Sequence, residues 1–412
     1  MKRFFILCTL FLLIGHTLFS QETITVMQYN LLQYGNYQQY GGCSENTNNT
    51  QRKDECIRTL LDYVKPDILT VCEFGATQQL QSEFLRHNLN INGVNYWKTD
   101  NILNYASSNL INHIFYDSRK MELKRHVALR TVPRDSDVYE LYLKTPSLVA
   151  GDTIKLVCIV THPKAGDGND DADSRLATMQ AIMDYVNQNH SRDNVLVMGD
   201  FNMYSAYEKG YRLLTQTYTN YDALFCDPLA GEGGVGAWNN NAQFAQFHTQ
   251  STRSGSTTCF SSGGLDDRFD FILMSDEIYM GFNKIKYVNR SYYAVGNDGN
   301  HFNKSIIQNG NAAVPAEVAQ ALYDGSDHLP VTMKLTVYSQ LDVEEQTLGS
   351  FMVYPNPTSK QLTVSVEGDY RITNLLGQTV MTGHGSTIDV SDLSSGVYFV
   401  NIDGVIRKFV KN

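Results

Sequence analysis

Eight residues of this 412-residue chain are of the types that handle phosphate: Asn30, Glu73, His162, Asp200, Asn202, Asp270, Asp327 and His328. Each borders a short apolar, β-branched run. Asn30 follows the run 23–29, Glu73 follows 67–72, and His162 follows 153–161. Asp200 and Asn202 lie in Gly199-Asp200-Phe201-Asn202, just after 194–198. Asp270 sits in Asp267-Arg268-Phe269-Asp270-Phe271; Asp327 and His328 sit in Gly325-Ser326-Asp327-His328-Leu329-Pro330. Hydrolysing a phosphodiester calls for a hard cation against the phosphoryl oxygens and a water that is oriented and deprotonated. Carboxylates and amide oxygens suit Mg2+ or Mn2+. A histidine fixed in one tautomer by a carboxylate suits the proton transfer. Each motif alone is weak, since an Asp-His dipeptide is commonly a turn or a surface pair. The weight lies in their joint occurrence at run ends, where functional groups collect over a rigid frame.

The elements that must position these residues follow from periodicity. The runs 23–29, 67–72, 111–116, 153–161, 194–198, 268–274 and 329–337 read as strands. Residues 55–64 read as a helix with Ile57, Leu60, Leu61 and Val64 on one face. Asp173 reads as the N-cap of another, with Leu176, Met179, Ile182, Met183 and Val186 turned inward. Strands mixed with helices predict an α/β sandwich over residues 21–338. Residues 339–349 are acidic and poor in apolar groups, and read as a linker. Alternation in 362–366, 379–381, 397–402 and 405–410 predicts a small all-β domain over 350–412.

Lys2 and Arg3, followed by an apolar stretch over 4–15, predict a secretory signal peptide over residues 1–20. That stretch is too short to span a bilayer comfortably, and no later segment resembles a span. Cys43, Cys56, Cys72, Cys158, Cys226 and Cys259 lie beyond it, and export permits disulfides. Cys43 and Cys56 flank a polar loop and could close it. Cys226 and Cys259 lie in loop-like surroundings, and Cys72 and Cys158 read as buried thiols. The pairing stays open, and no spacing suits zinc. The formal charge is −10, about −12 without the leader. No global basic field recruits nucleic acid, which argues against a tight DNA-binding protein but not against an enzyme that grips phosphate locally. A monomer is expected.

Asn30, Glu73, His162, Gly-Asp-Phe-Asn, Arg-Phe-Asp-Phe and Ser-Asp-His-Leu-Pro-Val together resemble the endonuclease/exonuclease/phosphatase (DNase I-like) family over about residues 23–338. The resemblance implies a four-layer αββα sandwich, two sheets between helices. It implies that Glu73 binds the cation, with Asn30 and Asp327 in or near its shell. Asp200 and His328 would position and activate the water, and Asp270 would hold His328. Asn202 and His162 would contact the scissile phosphate, His162 at the leaving oxygen. A nuclease with DNA or RNA as a transient partner is the leading expectation. A sphingomyelinase-like lipid phosphodiesterase is the alternative, and a catalytically silent surface adhesin a third. Tyr354-Pro355-Asn356-Pro357, Asn374-Leu375-Leu376-Gly377-Gln378 and Leu393-Ser394-Ser395-Gly396-Val397-Tyr398 resemble the type A sorting domain of type IX secretion. That implies the secretion machinery as a partner, and a secreted or cell-surface location.

Other segments carry two readings each. Residues 167–173 resemble the start of a structural Ca2+ loop, but Ala172 and Thr178 stand where Gly and Glu are required. They read instead as a solvated loop capping the next helix, with Arg175 and Gln180 facing loop or solvent. His248 could line a substrate groove or be satisfied by backbone. Arg253 and Arg268 could contact phosphate, or Arg268 could pair with an Asp. His113 reads as core, and Asn112 could reach the site. Tyrosines over 29–40 could stack on bases. Phe244 and Phe247 are the candidates for a membrane-seeking hairpin.

Overall fold

The computed structural model describes residues 20–37, 42–145, 153–255, 258–339, 351, 353–402 and 405–412. The leader over 1–20 and the linker over 339–349 lie outside them, apart from residues 20 and 339, as does Tyr40. The strands of the large domain are, in chain order, β1 (Ser20–Tyr34), β2 (Ile68–Gly75), β3 (Trp97–Lys98), β4 (Leu110–Asp117), β5 (Met121–Leu129), β6 (Ser136–Leu143), β7 (Ile154–Thr161), β8 (Val195–Asp200), β9 (Phe225–Cys226), β10 (Asp270–Ser275), β11 (Ile285–Tyr287), β12 (Tyr293–Ala294) and β13 (Val331–Ser339). Its helices are α1 (Thr50–Val64), α2 (Gln78–Phe84), α3 (Asn169–Asn189), α4 (Lys209–Thr215), α5 (Asp276–Met280) and α6 (Ala316–Gly325).

Central strands such as β8 are apolar on both faces, as they must be when covered on both sides. Val195 and Val197 enter one hydrophobic layer, with Met179, Ile182 and Met183 of α3 and Leu213 and Leu214 of α4. Leu196 and Met198 enter the other, with Val26, Val71 and Ile114 of the opposing sheet. The first sheet runs β11-β13-β1-β2-β4-β3, with β12 beside β13; the second runs β5-β6-β7-β8-β10-β9. The sheets stack face to face. Helices α1 and α6 pack on the first, and α3 and α4 on the second, giving helix–sheet–sheet–helix.

Helix α1 starts where Asn49 caps Arg52 N–H. It stops at Lys65, left-handed at φ 52°, ahead of Pro66. It buries Ile57 and Leu60, each contributing about 1.5–3 kcal/mol relative to exposure.

Several expectations are revised. Strand β1 does not end at residue 29; it continues through an irregularity to Tyr34. Strands β5 and β6 were not expected. Helix α3 begins at Asn169, with Asp170 and Asp171 in its first turn, so Asp173 lies inside it. Arg175 is buried and paired to Glu208 (2.9 Å), while Gln180 is exposed. Asp171 pairs with Lys164 at 3.0 Å, in keeping with a capping loop. Cys43 bonds Cys259, 216 residues away, while Cys56 is a free buried thiol. Cys226 is also free, in β9, and Cys72 and Cys158 are buried thiols as expected. Tyr29 and Tyr34 are core residues. Phe247 is buried and Phe244 packs inward, so neither is a membrane-seeking tip. Among the described residues no helix is long and apolar enough to cross a membrane.

The C-terminal strands are β14 (Val353–Tyr354), β15 (Gln361–Asn374), β16 (Thr379–Asp389), β17 (Gly396–Ile402) and β18 (Val405–Lys411). They form one sheet in the order β14-β15-β17-β18, with β16 on β15. One face closes a core around Leu362, Ile372, Val400 and Phe409. On the other, Val397 and Phe399 pack against Leu224 and Met280 of the large domain.

Candidate active site

Sheet register brings the eight residues to one edge of the sandwich. In the first sheet, parallel pairing sets Asn30 of β1 beside Cys72, next to Glu73 of β2. In the second, Thr161 of β7 pairs Gly199 of β8, and Asp200 pairs Asp270 of β10. His162 follows β7 directly, so the ends of β7, β8 and β10 present His162, Asp200 and Asp270 side by side.

The backbone departs from regular strand where these residues sit. Leu32, Gln33, Glu73 and Asn202 have φ of 45°, 49°, 57° and 52°. The left-handed region costs a non-glycine residue about 1–2 kcal/mol. Both β1–β2 and β2–β4 shift register here. Such irregularities re-aim side chains at sheet edges, and the strain is concentrated where it sets the site. Gly199 has φ 147°, and a Cβ there would collide with Thr161 O. Only glycine lets β7 and β8 close up beneath His162 and Asp200.

The polar groups form one connected set across both sheets. Asn30 Nδ2 donates to Glu73 Oε1 (3.2 Å) and to Asp200 Oδ2 (2.9 Å), joining the first sheet to the second. Its Oδ1 accepts Leu32 N–H at 2.9 Å, so Asn30 offers N–H to these carboxylates and not oxygen. Glu73 is half-buried, and its Oε2 accepts Gln33 N–H at 3.0 Å. One oxygen of Glu73, one of Asp200 and a ring nitrogen of His162 lie within 4.8 Å of one another. His162 Nε2 is 3.3 Å from Asp200 Oδ2, and its buried Nδ1 has no hydrogen-bond partner among the described residues. Asn202 N–H donates to Asp200 Oδ1 (3.0 Å), and its amide donates to Pro163 O (3.3 Å).

His328 Nδ1 lies 2.8 Å from Asp270 Oδ2, and its Nε2 lies 3.6 Å from Asp200 Oδ2. Asp270 is itself held: Thr249 Oγ1 accepts its N–H, and Tyr292 OH donates to its carbonyl. Asp327 is not in the Glu73–His162–Asp200 cluster. Its Oδ2 accepts Ser261 N–H at 2.9 Å, and its buried Oδ1 has no hydrogen-bond partner among the described residues.

Charge follows from burial and neighbours. Burial pushes Asp200 up to about 7; Asp270 and Glu73 add to this, and His328 opposes it. Burial alone would lower His328, but the carboxylates of Asp270 and Asp200 hold it well above its ordinary value. Burial, with the nearby Arg134 and His328, keeps His162 well below its ordinary value. Buried Asp200 and His328 thus share protons as a unit, while His162 is neutral.

Two contributors, Gln250 and Arg134, were not singled out in the sequence, and a third, Ser326, was quoted only as part of its motif. Gln250 Nε2 lies 2.7 Å from His328 Nε2, and a half-turn of the amide would serve the other protonation state of the ring. Arg134 Nη1 donates to His162 O at 3.2 Å. Ser326 Oγ donates to Asn30 O at 2.7 Å. Gln250 lies in a loop segment without periodicity, although its closeness to the Asp270 motif in sequence was a usable hint.

Other sequence candidates lie elsewhere. Arg268 is buried in a two-pronged pair with Asp227, both bonds 2.9 Å. Arg253 donates to Tyr323 O and stacks on Phe260. His248 is buried against Trp238 O at 2.8 Å. His113 is core, lowered by burial to about 3. Asn112 donates to Asp135 O, next to Arg134. Two clefts of about 1120 and 620 Å³ lie against the C-terminal sheet, and none of the eight residues lines either. The site is identified by the convergence of these groups.

The sequence profile of the Endonuclease/Exonuclease/phosphatase family matches residues 27–328, which span the whole constellation. The chain belongs to that family. Its members hydrolyse phosphoester bonds and typically use a divalent metal, so this chain is a phosphoric ester hydrolase. The profile of the secretion system C-terminal sorting domain matches residues 352–412, which assigns the protein to type IX secretion and export. Among curated proteins none matches the sequence. Similar solved structures include the endonuclease/exonuclease/phosphatase from Bacteroides vulgatus, at 16% identity and TM-score 0.47, covering 77% of this chain and 99% of that one. A humanized D. rerio TDP2 is 12% identical at TM-score 0.46, covering 76% and 98%. The human Nocturnin catalytic domain with bound sulfate is 13% identical at TM-score 0.44, covering 78% and 98%.

Proposed function

We propose that this exported hydrolase is a divalent-cation-dependent phosphodiesterase acting on DNA or RNA. On this reading residues 1–20 are the leader, 21–338 the catalytic domain, 339–349 a linker and 350–412 the sorting domain. The observation that carries it is the line Asp270–His328–Asp200 running into the Glu73–His162–Asp200 cluster. The carboxylate oxygens of Glu73 and Asp200 are donors of the kind Mg2+ or Mn2+ takes, and among the described residues Asp327 keeps a buried oxygen without a hydrogen-bond partner. Glu73 would hold the ion, with Asp327 nearby. Asn30 would steady Glu73 and Asp200 through its N–H groups, or join the shell if its amide turned. The cation would supply positive charge against the phosphoryl oxygens.

The chain's own residues do the rest. Asp200 takes the proton of the attacking water, which it orients together with the charged His328. Asp270 fixes the His328 ring and, with Asp200, keeps it charged, so that it faces the phosphoryl group as negative charge builds there. Asn202, tied to Asp200 and to Pro163 O, flanks the phosphate. Neutral His162 donates a hydrogen bond to the leaving oxygen. Because Phe244 and Phe247 pack inward, the element expected of a lipid-surface enzyme is lacking there, which favours a soluble polyanion over sphingomyelin.

The test is cleavage of supercoiled DNA, RNA and sphingomyelin by the purified protein, each with Mg2+ and with EDTA. The expected result is cation-dependent cleavage of a nucleic acid, reduced roughly 10²–10⁴-fold or more in an Asp200→Ala, His328→Ala double variant. Cleavage of the lipid alone would reassign the substrate. Inactivity of the folded protein on all three would sink the reading.

A further inference from the structure

One buried cation behind the site is not used by the chemistry above. Lys53, on α1, is 2% exposed. Its Nζ donates to Leu31 O at 2.7 Å and to Gly325 O at 2.6 Å, and lies 5.8 Å from the centre of the Phe260 ring. Asp327 and Glu73 act on it through space, and among the described residues no carboxylate pairs with it directly. Burying an ammonium without a paired anion is costly, and here burial lowers its pKa to about 7. A position serving only the core would hold an apolar side chain.

Each partner of Lys53 adjoins a site residue. Leu31 follows Asn30. Gly325 precedes Ser326, whose hydroxyl donates to Asn30 O, and lies two residues before Asp327. Phe260 stands between Cys259, bonded to Cys43, and Ser261, whose N–H donates to Asp327 Oδ2. Three segments far apart in sequence thus meet around one Nζ, and each carries or contacts Asn30 or Asp327.

We propose that Lys53 is a positioning residue: bonded to the Leu31 and Gly325 carbonyls, its ammonium sets the placement of Asn30 and Asp327, and with it the affinity of the site for a divalent cation. The proposal rests on the cation-dependent reading above. Geometry and bare charge predict opposite signs. If Lys53 acted only as a nearby positive charge, removing it would tighten cation binding. If it acts as a clamp, removing it strands two buried carbonyls and loosens the site.

The experiment is Mn2+ binding by calorimetry to the full chain and to Lys53→Met and Lys53→Gln, with melting temperature and near-UV circular dichroism as fold controls. Lys53→Met is expected to bind Mn2+ about 10–100-fold more weakly, as for other groups that orient metal ligands. The Mg2+ concentration for half-maximal cleavage should rise by a similar factor. Lys53→Gln is neutral but can donate to both carbonyls, and should stay within about threefold of the parent. Unchanged or tighter binding by a folded Lys53→Met overturns the proposal. Should Lys53→Met fail to fold, Lys53→Gln decides: near-parent affinity supports the clamp, and binding at least tenfold tighter overturns it. A parent protein that binds no Mn2+ and cleaves no phosphodiester would overturn both this proposal and the reading beneath it. A parent that binds while Lys53→Met matches it overturns the clamp alone.

Discussion

At the scale of single residues, the decisive feature is a histidine between two buried carboxylates. Asp270 and Asp200 together hold His328 above its ordinary pKa, so replacing one should move it. Asp270→Asn keeps the shape and the contact to Nδ1 but removes a charge. The His328 titration, followed by NMR of the ring protons, should shift downward, and turnover should fall roughly 10²–10⁴-fold, as when a proton-transfer group is disabled. An unmoved His328 would mean that Asp270 does not hold it. The types and order of the eight residues were legible because side-chain chemistry is written directly in sequence. What was hidden is partnership. Arg268 carried two readings, a phosphate contact or a pair with an Asp, and its bidentate contact with Asp227 bears out the second, though which Asp was not visible. Arg175 was expected to face loop or solvent; it bonds Lys164 O and Gly166 O beside that loop, yet it is buried, and Glu208 makes the burial tolerable. A long cationic side chain next to an acidic loop has no local signature that separates these outcomes.

At the scale of elements, the site depends on how closely β7 and β8 approach. Gly199 is the residue that permits it, with φ 147° and no room for a Cβ above Thr161 O. Gly199→Ala must push β8 away from β7 or distort both. A loss of about 3 kcal/mol or more is expected, the sum of overpacking and an unfavourable φ, read as a lower denaturation midpoint at unchanged slope. Stability within about 0.5 kcal/mol of the parent would show that the strands part without cost. Central strands were legible because they are apolar on both faces. Strands β5 and β6 were not, because exposed Lys124 and Arg125 and the polar Ser136 and Asp137 interrupt the runs at this edge of the sheet. Strand β1 was cut short at Tyr29 because Asn30 reads as a turn residue, whereas an irregularity carries the strand on to Tyr34. The Cys43–Cys259 bond was beyond reach for a similar reason: local spacing favoured Cys56, and a closure over 216 residues is written only in the fold.

At the scale of the whole molecule, the sorting sheet rests on the catalytic body away from the site. Val397 and Phe399 cover Leu224 and Met280, and Lys408 Nζ reaches Asp276 Oδ2 at 2.9 Å. Asp276 is almost fully buried, and its neighbour Glu277 lines the same cleft. Burial, with the adjacent Asp276, raises Glu277 to about 8 from an ordinary 4.5. A carboxyl raised in the folded state binds its proton more tightly there than in the open chain. Its contribution is therefore fully present below about pH 4.5 and is lost as pH rises through about 8. Above that, two adjacent carboxylates face one lysine, and the packing around them should weaken. Small-angle scattering of the full chain should then give a larger radius of gyration at about pH 9 than at about pH 6. Glu277→Gln, neutral throughout, should flatten the difference. If the parent and Glu277→Gln expand alike, Glu277 is not the titrating group; if neither expands, the apolar contacts of Val397 and Phe399 suffice to hold the two domains together.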